Sequence, residues 1–419
     1  MGLVENIKAK CDISAYCDVD KVVLAYSGGV DTSIMIKLLQ DICKTEVIAV
    51  TLDLGHGEYS QHDESKIKSK AESLGAKHYF VDAKEEFITG YVWAGVKANC
   101  MYQGAYPNST TLGRPLIAKH LVEIAKKEGA LAVAHGSTGK GNDQVRFDVS
   151  ILSLAPEMKI IAPVRDWNLA RDEEIEYAKE NNIPLPVESG SPYSVDANLW
   201  GRSIECGVLE DPSHAPPDDV FEWVTLPEKA KDSATTVTMH FEKGIPVKLE
   251  HDGEFVNGPV EIVTAMNSIA GENGVGIIDH MEDRTIGLKS REIYECPAAV
   301  SILAAHADLE KYVLTREENE FKPIVDKVWS EMVYKGLWFS PLMNSLNAFV
   351  DDSQECVTGW VKMKLYKGNM IVIGRNSANA IYDQKLATYE KHTTFDQKDA
   401  IGFIKLWGMN TIIANKVKQ

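Results

Sequence analysis

AYSGGVDTS, residues Ala25 to Ser33, stands where an apolar run ends and an amphipathic one begins, and its reading decides the fold. Upstream, Lys21–Tyr26 is β-branched and apolar, as a buried strand requires. From Asp31 onward the apolar residues recur at helical spacing. Gly28 and Gly29 permit a backbone geometry and a close approach that a Cβ would block. Ser27, Thr32 and Ser33 add hydroxyls beside the free amides of a helix N-terminus, so strand, loop and helix form a cradle for an anion. The plain alternative is a Gly-rich βα turn with a Ser or Asp cap.

Outward from this segment the same alternation repeats. Strands are expected at Lys21–Tyr26, Glu46–Asp53, Lys77–Val81, Ala130–His135 and Lys159–Pro163, with helices starting near Asp31, Gln61, Glu85, Arg114 and Arg171. Each connection is long enough for the crossover that parallel pairing demands, which predicts an α/β, doubly wound parallel-sheet nucleotide-binding domain over residues 1–185. The Pro/Gly/Ser-rich stretch IPLPVESGSPYS then marks a boundary near Leu185. Residues 186–380 read as an α+β domain, with strands at Thr235–Leu249, Gly253–Val256, Glu355–Leu365 and Asn369–Gly374. Helices are expected there near Val260–Ile269, Ala298–Tyr312 and Lys322–Tyr334. Within the last segment, 381–419, Asp399–Val417 reads as a terminal helix whose apolar face (Ile401, Ile404, Leu406, Trp407) needs a partner surface.

Composition narrows the function classes. At 419 residues the chain suits two or three domains. Its 44% hydrophobic content without a run of about 18 apolar residues predicts a soluble protein. The N-terminus lacks the basic and apolar regions of a secretory signal, so the expected address is the cytoplasm. The 44 basic and 61 acidic residues leave a net charge of -17, a field that repels a polyanionic backbone, so no nucleic-acid partner is expected. Seven cysteines form no CxxC, and their odd count reads as free thiols serving packing. His56 and His62 near Asp63 form no ligand set of defined spacing, and the lysines of ESKIKSKAE read as the exposed face of a helix.

No GxxxxGK[ST] occurs in the chain, and no Lys stands beside Gly28 and Gly29 in sequence, so the cradle is not a Walker A loop. Its SGGxD[ST] order resembles the PP-loop of ATP pyrophosphatases, which grip the pyrophosphate portion of ATP and release it whole. A second constellation, HGSTGKGNDQVRF (His135 to Phe147), also follows an expected strand; its three glycines, with Lys140, Asn142, Asp143 and Arg146, suit a ligand approached by backbone and charge together.

The two segments in this order resemble the signature motifs of the argininosuccinate synthase family, and the resemblance runs from about Lys21 to the C-terminus. It implies a synthetase domain after the PP-loop domain and a C-terminal oligomerisation arm. It implies a carbon–nitrogen ligase of arginine biosynthesis or the urea cycle, joining L-citrulline to L-aspartate through citrullyl-AMP and releasing AMP and pyrophosphate. ATP is then held by Ala25, Tyr26, Ser27, Gly28, Gly29, Val30, Asp31, Thr32 and Ser33, by the backbone at Leu52 and by Gly136, with Mg2+ at Asp31. Aspartate maps onto Thr138, Asn142 and Asp143. Citrulline maps onto Tyr106, Thr111, Asn142, Arg146, Ser194, Ser203, Glu282 and Tyr294; Thr111 stands where a Ser is usual and keeps the hydroxyl. Asp143, Asn142 and Arg146 become the catalytic candidates, and a homotetramer is implied.

Overall fold

The computed structural model describes residues 4–5, 7, 17–55, 61–167, 171–183 and 193–419. Strands β1 (Lys21–Ala25), β2 (Glu46–Asp53), β3 (Lys77–Asp82), β4 (Ala132–Ala134) and β5 (Lys159–Ile161) form one sheet in the order β3-β2-β1-β4-β5. Every pairing is parallel, with Ala25 opposite Val50 and Leu24 opposite Ala134. Helices α1 (Val30–Cys43), α2 (Gln61–Ser73), α3 (Gly113–Glu128), α4 (Asp143–Leu154) and α5 (Arg171–Glu180) accompany them. Along β1 the side chains alternate between two cores. Val22 and Leu24 join Ile34, Leu38 and Tyr177 on one side, while Val23 joins Leu116, Leu121 and Phe147 on the other. A strand buried on both faces reads as an unbroken apolar run, which is the pattern these segments carry. The doubly wound sheet therefore stands as expected, with strand ends shifted by at most two residues.

The strand order reverses between β1 and β4, so the chain leaves both strands into one crevice at their carboxyl ends. In open α/β sheets such a switch point is where ligands bind.

The second half is built from two antiparallel sheets and a set of helices. In chain order these are β6 (Ser194–Asn198), β7 (Gly201–Glu205), β8 (Thr235–Glu242), β9 (Ile245–His251), β10 (Glu254–Asn257), α6 (Pro259–Glu272), β11 (Ile277–Asp283) and β12 (Lys289–Glu295). There follow α7 (Pro297–Val313), α8 (Arg316–Tyr334), α9 (Pro341–Ser353), β13 (Gly359–Tyr366), β14 (Asn369–Asn376), α10 (Asp399–Trp407) and α11 (Met409–Val417). One sheet runs β11-β12-β7-β6 and the other β10-β9-β8-β13-β14. The turn between β6 and β7 docks on the mouth of the crevice: Leu199 N–H donates to the Leu54 carbonyl (3.0 Å) and Asn198 Nδ2–H to the Ser109 carbonyl (2.9 Å). That hairpin positions the four-stranded sheet over the nucleotide-binding half.

Several expectations are corrected. Thr235–Leu249 is a hairpin turning at Lys243-Gly244, both at positive φ. Helix α8 starts at Arg316, six residues before the expected Lys322, because Thr315 and Glu318 form a capping box that fixes its first turn. The terminal helix is two helices meeting at Gly408, both exposed. Cys17 and Cys43, 26 residues apart, are joined by a disulfide rather than free; Cys100, Cys206, Cys296 and Cys356 are thiols. Lys66 and Lys68 are exposed as expected, but Lys70 is half-buried. The boundary residue Leu185, His56 and Cys11 lie outside the described residues. No helix among the described residues is long and apolar enough to cross a membrane.

Candidate active site

The loop after β1 is shaped by its own polar atoms. Gly28 sits at φ +79°, and a Cβ there would stand 3.0 Å from Ile67 of α2. Helix α1 begins after Gly29 without a side-chain cap, so the amides of its first turn face the crevice rather than a capping oxygen. Ser33 Oγ–H donates to the Gly29 carbonyl (2.6 Å), the Ser27 and Thr32 hydroxyls lie 3.2 Å apart, and Tyr26 Oη lies 3.2 Å from Ser33 Oγ. Thr51 Oγ1–H donates to the Tyr26 carbonyl (2.7 Å), which ties the loop to β2. Ala25 closes β1, Val30 opens the buried face of α1, Asp31 is exposed in its first turn, and Leu52 faces the core with its backbone in the β2–β3 ladder. From α2, Lys70 Nζ–H donates to the Gly28 carbonyl (2.9 Å).

The loop after β4 lies against this one. A Cβ on Gly136 would stand 2.7 Å from Met35 Cε of α1, so only a glycine lets the second loop pass this close without displacing that side chain. His135 accepts the Ser137 N–H at Nδ1 (3.3 Å), which leaves Nε2–H to donate to Asp148 (2.7 Å). Arg165 holds the other oxygen of Asp148 (2.7 Å). Thr138 and Lys140 sit exposed on the loop between.

Helix α4 starts at Asp143 and sets Asp143 and Arg146 on one face, three residues apart. Arg146 Nη1–H donates to Asp143 Oδ1 (2.8 Å) and Arg114 Nη2–H to Asp143 Oδ2 (2.6 Å); Arg114 also pairs with Asp196. Burial raises the proton affinity of the Asp143 carboxyl, but the two guanidinium charges outweigh it and hold the group far below the usual carboxylate range. Asp143 is a fixed anion. That suits orienting a substrate ammonium and does not suit taking a proton near neutral pH.

A chain of buried phenols and amides continues from α4. Asn142 Nδ2–H donates to Tyr334 Oη (2.9 Å) while Asn142 Oδ1 accepts the Thr285 N–H (2.8 Å). Tyr334 O–H donates to one oxygen of Glu282 (2.5 Å) and Tyr294 O–H to the other (2.6 Å). Arg146 Nε–H donates to the Tyr334 carbonyl (3.0 Å), and its guanidinium lies over the Tyr334 ring. Tyr294 stacks on Tyr106, whose hydroxyl lies 3.0 Å from Thr110 Oγ1 and 3.3 Å from Thr111 Oγ1. Tyr294 on β12 faces Ser203 on β7, so the four-stranded sheet supplies this wall. Asn142, Asp143, Arg146, Tyr106, Thr111, Ser203, Glu282 and Tyr294 thus converge; Ser194 is exposed at the start of β6, two residues before the Asp196 that pairs with Arg114, and Thr138 is exposed on its loop.

Sequence reasoning missed Arg114, Asp196, Tyr334 and Lys70. Arg114 signalled only a helix start in TLGRP. Tyr334 closes an amphipathic helix, and nothing local distinguishes it from a core residue.

The fold and the site define a PP-loop, ATP-using enzyme. Residues 21–184 match the family model described as the arginosuccinate synthase N-terminal HUP domain, and residues 193–414 match the arginosuccinate synthase C-terminal domain. An argininosuccinate synthase from Pyrococcus furiosus is 55% identical over 395 residues, 94% of each chain. Others from Rubrobacter xylanophilus (54% over 390 residues, 93% of each chain) and Brevibacillus brevis (52% over 402 residues, 96% of this chain and 94% of the relative) are similar throughout. The chain belongs to the argininosuccinate synthase family, ATP-dependent carbon–nitrogen ligases that form AMP and pyrophosphate.

Proposed function

We propose that the chain condenses L-citrulline with L-aspartate in two steps on one surface, in the cytoplasm. The observation that carries this reading is the meeting of two glycine-shaped loops at the β1/β4 switch point, directly beside the Asp143–Arg146–Tyr334–Glu282 network. The ureido carbon of citrulline is a weak electrophile with no leaving group. Its oxygen attacks the α-phosphorus of ATP, and pyrophosphate departs into the Ala25–Ser33 cradle. The aspartate amine then displaces AMP from carbon.

In this reading the protein acts by positioning and by fixed charge. Ala25–Ser33, the Leu52 backbone and Gly136 hold ATP. Tyr106, Thr111, Asn142, Arg146, Ser194, Ser203, Glu282 and Tyr294 hold citrulline, while Thr138, Asn142 and Asp143 hold aspartate. Among the described residues no cluster of three or more His, Cys, Asp or Glu is arranged for a metal. Mg2+ takes one or two carboxylates plus substrate phosphates and water, and Asp31 would be the carboxylate here. The ion, when bound, neutralises phosphate charge. The test is to supply ATP with citrulline and aspartate, omitting each in turn. AMP and pyrophosphate should form only with the full set, and ADP as product would overturn the reading.

Residues 381–419 are proposed as an arm that packs on a neighbouring subunit of a homotetramer. Support comes from Phe403, Ile404, Leu406 and Trp407, all more than half exposed on a helix that no element of the described residues covers. Removing 399–419 is expected to lower the mass measured by light scattering; an unchanged assembly would refute the arm.

A further inference from the structure

Several cations in this acidic chain that lose water are matched by carboxylates. Lys322 is buried against Asp326 and Glu310, Lys84 lies between Asp53 and Asp82, and Arg114 is held by Asp143 and Asp196. Lys70 differs. It is half-buried on α2, and its hydrogen-bond partner is the neutral carbonyl of Gly28. Burial lowers its proton affinity, and no carboxylate of the described residues acts to raise it again. An ammonium moved out of water without an anion is unfavourable, and an anion arriving beside it removes the penalty.

The neighbourhood says which anion. Gly28 is the first glycine of the cradle, and Ile67, one turn before Lys70, is the side chain that a Cβ on Gly28 would meet. Lys70 therefore approaches the loop from the side that β1 and α1 leave open. The same helix face, with Ser65, Lys66, Ser69 and Ser73, lines an open groove of about 590 Å3. The cradle itself carries no cation in AYSGGVDTS, yet it must receive a leaving group of several negative charges.

We infer that Lys70 is the cation of the pyrophosphate site: its ammonium, one bond on the Gly28 carbonyl, directs its remaining donors at the β- and γ-phosphates of ATP and at departing pyrophosphate. This rests on the ATP-pyrophosphatase reading above and adds a residue to it. A lysine suits the role as a compact point charge with rotatable donors, as it does in phosphate sites of other folds.

The experiment compares the full-length wild type with Lys70→Met, Lys70→Gln and Lys70→Arg, using pyrophosphate, ATP and AMP as probes. Lys70→Gln removes the charge while keeping an N–H donor on a side chain one atom shorter, and Lys70→Arg keeps the charge, so together they separate electrostatics from a structural staple. Expected are inhibition constants for pyrophosphate and KM for ATP raised by about tenfold or more in Lys70→Met and Lys70→Gln, affinity for AMP changed by less than about twofold, and recovery in Lys70→Arg. If Lys70→Gln binds pyrophosphate as the wild type does, or if AMP weakens as much as ATP, the inference fails and Lys70 only braces the loop. A wild type that releases ADP, with pyrophosphate not inhibiting, would instead defeat the underlying reading.

Discussion

Replacing Asp143 by Asn is expected to lower turnover by about 100-fold, with the loss in the aspartate-dependent step. The carboxylate is gripped at one oxygen by Arg114 (2.6 Å) and at the other by Arg146 (2.8 Å). An amide offers one acceptor and two donors, so one guanidinium would face N–H groups in place of an anion. Leaving a buried cation without its partner costs about 3–5 kcal/mol, and part of that cost appears as a displaced Arg146. Exchange of labelled pyrophosphate into ATP, which needs citrulline but not aspartate, separates the half-reactions. It should fall far less than overall turnover, while KM for aspartate rises. A variant with unchanged aspartate kinetics would remove Asp143 from the site. The two arginines also predict a pH dependence. Asp143 has its proton affinity depressed, so its contribution to stability is complete above the ordinary carboxylate range and is lost only as strong acid protonates it. Between about pH 5 and 8 it should not titrate, and rate changes in that window belong to other groups.

The second large effect is on stability. Lys322, 2% exposed, donates to both oxygens of Asp326 (2.8 and 2.9 Å) and to the Lys97 carbonyl (2.8 Å), with Glu310 3.0 Å away. Asn99 reaches the same two carboxylates, so this one ammonium joins α7 and α8 to the segment before Tyr106. Lys322→Met is expected to destabilise the chain by about 3–5 kcal/mol at pH 8, because two buried carboxylates lose their counter-charge. Burial already pushes Asp326 up to about 6 against the pull of Lys322. Without that pull, Asp326 holds its proton still more tightly in the folded state than in the unfolded one. The variant is then penalised most above its folded pKa and regains stability as pH falls. Denaturant midpoints for wild type and variant at pH 8 and pH 5.5 check this; a difference under about 1 kcal/mol at pH 8 would refute it. Since α8 ends at Tyr334, the same substitution should also weaken citrulline binding.

These two positions show how unevenly the molecule was legible. The parallel sheet was readable because its strands are covered on both faces and carry uninterrupted Val, Ile and Ala. The Ala25–Ser33 cradle was readable because two glycines between a strand and a helix have few other uses. The four-stranded sheet was not readable: SVDAN, GRSIE and KSREIYE carry site residues and charges where alternation would have signalled strands. Asp143 was found through its motif, but its role changed once Arg114, 29 residues earlier, was seen to share it. Helical spacing alone marks Lys70 as solvent-facing, because it says nothing about a loop from another strand packing on that face. The disulfide between Cys17 and Cys43 was hidden by an odd cysteine count.

The claim on which the rest depends is that the ureido oxygen of citrulline becomes bonded to the α-phosphorus of ATP. Arg146 and Glu282, joined through Tyr334, are proposed to orient that oxygen opposite the departing pyrophosphate, as displacement at phosphorus requires. Citrulline carrying heavy oxygen in its ureido group, incubated with ATP, aspartate and the enzyme, decides it by mass spectrometry of the AMP. The account predicts one heavy oxygen in each AMP formed. AMP without label, with the heavy oxygen recovered in water or phosphate, would contradict it.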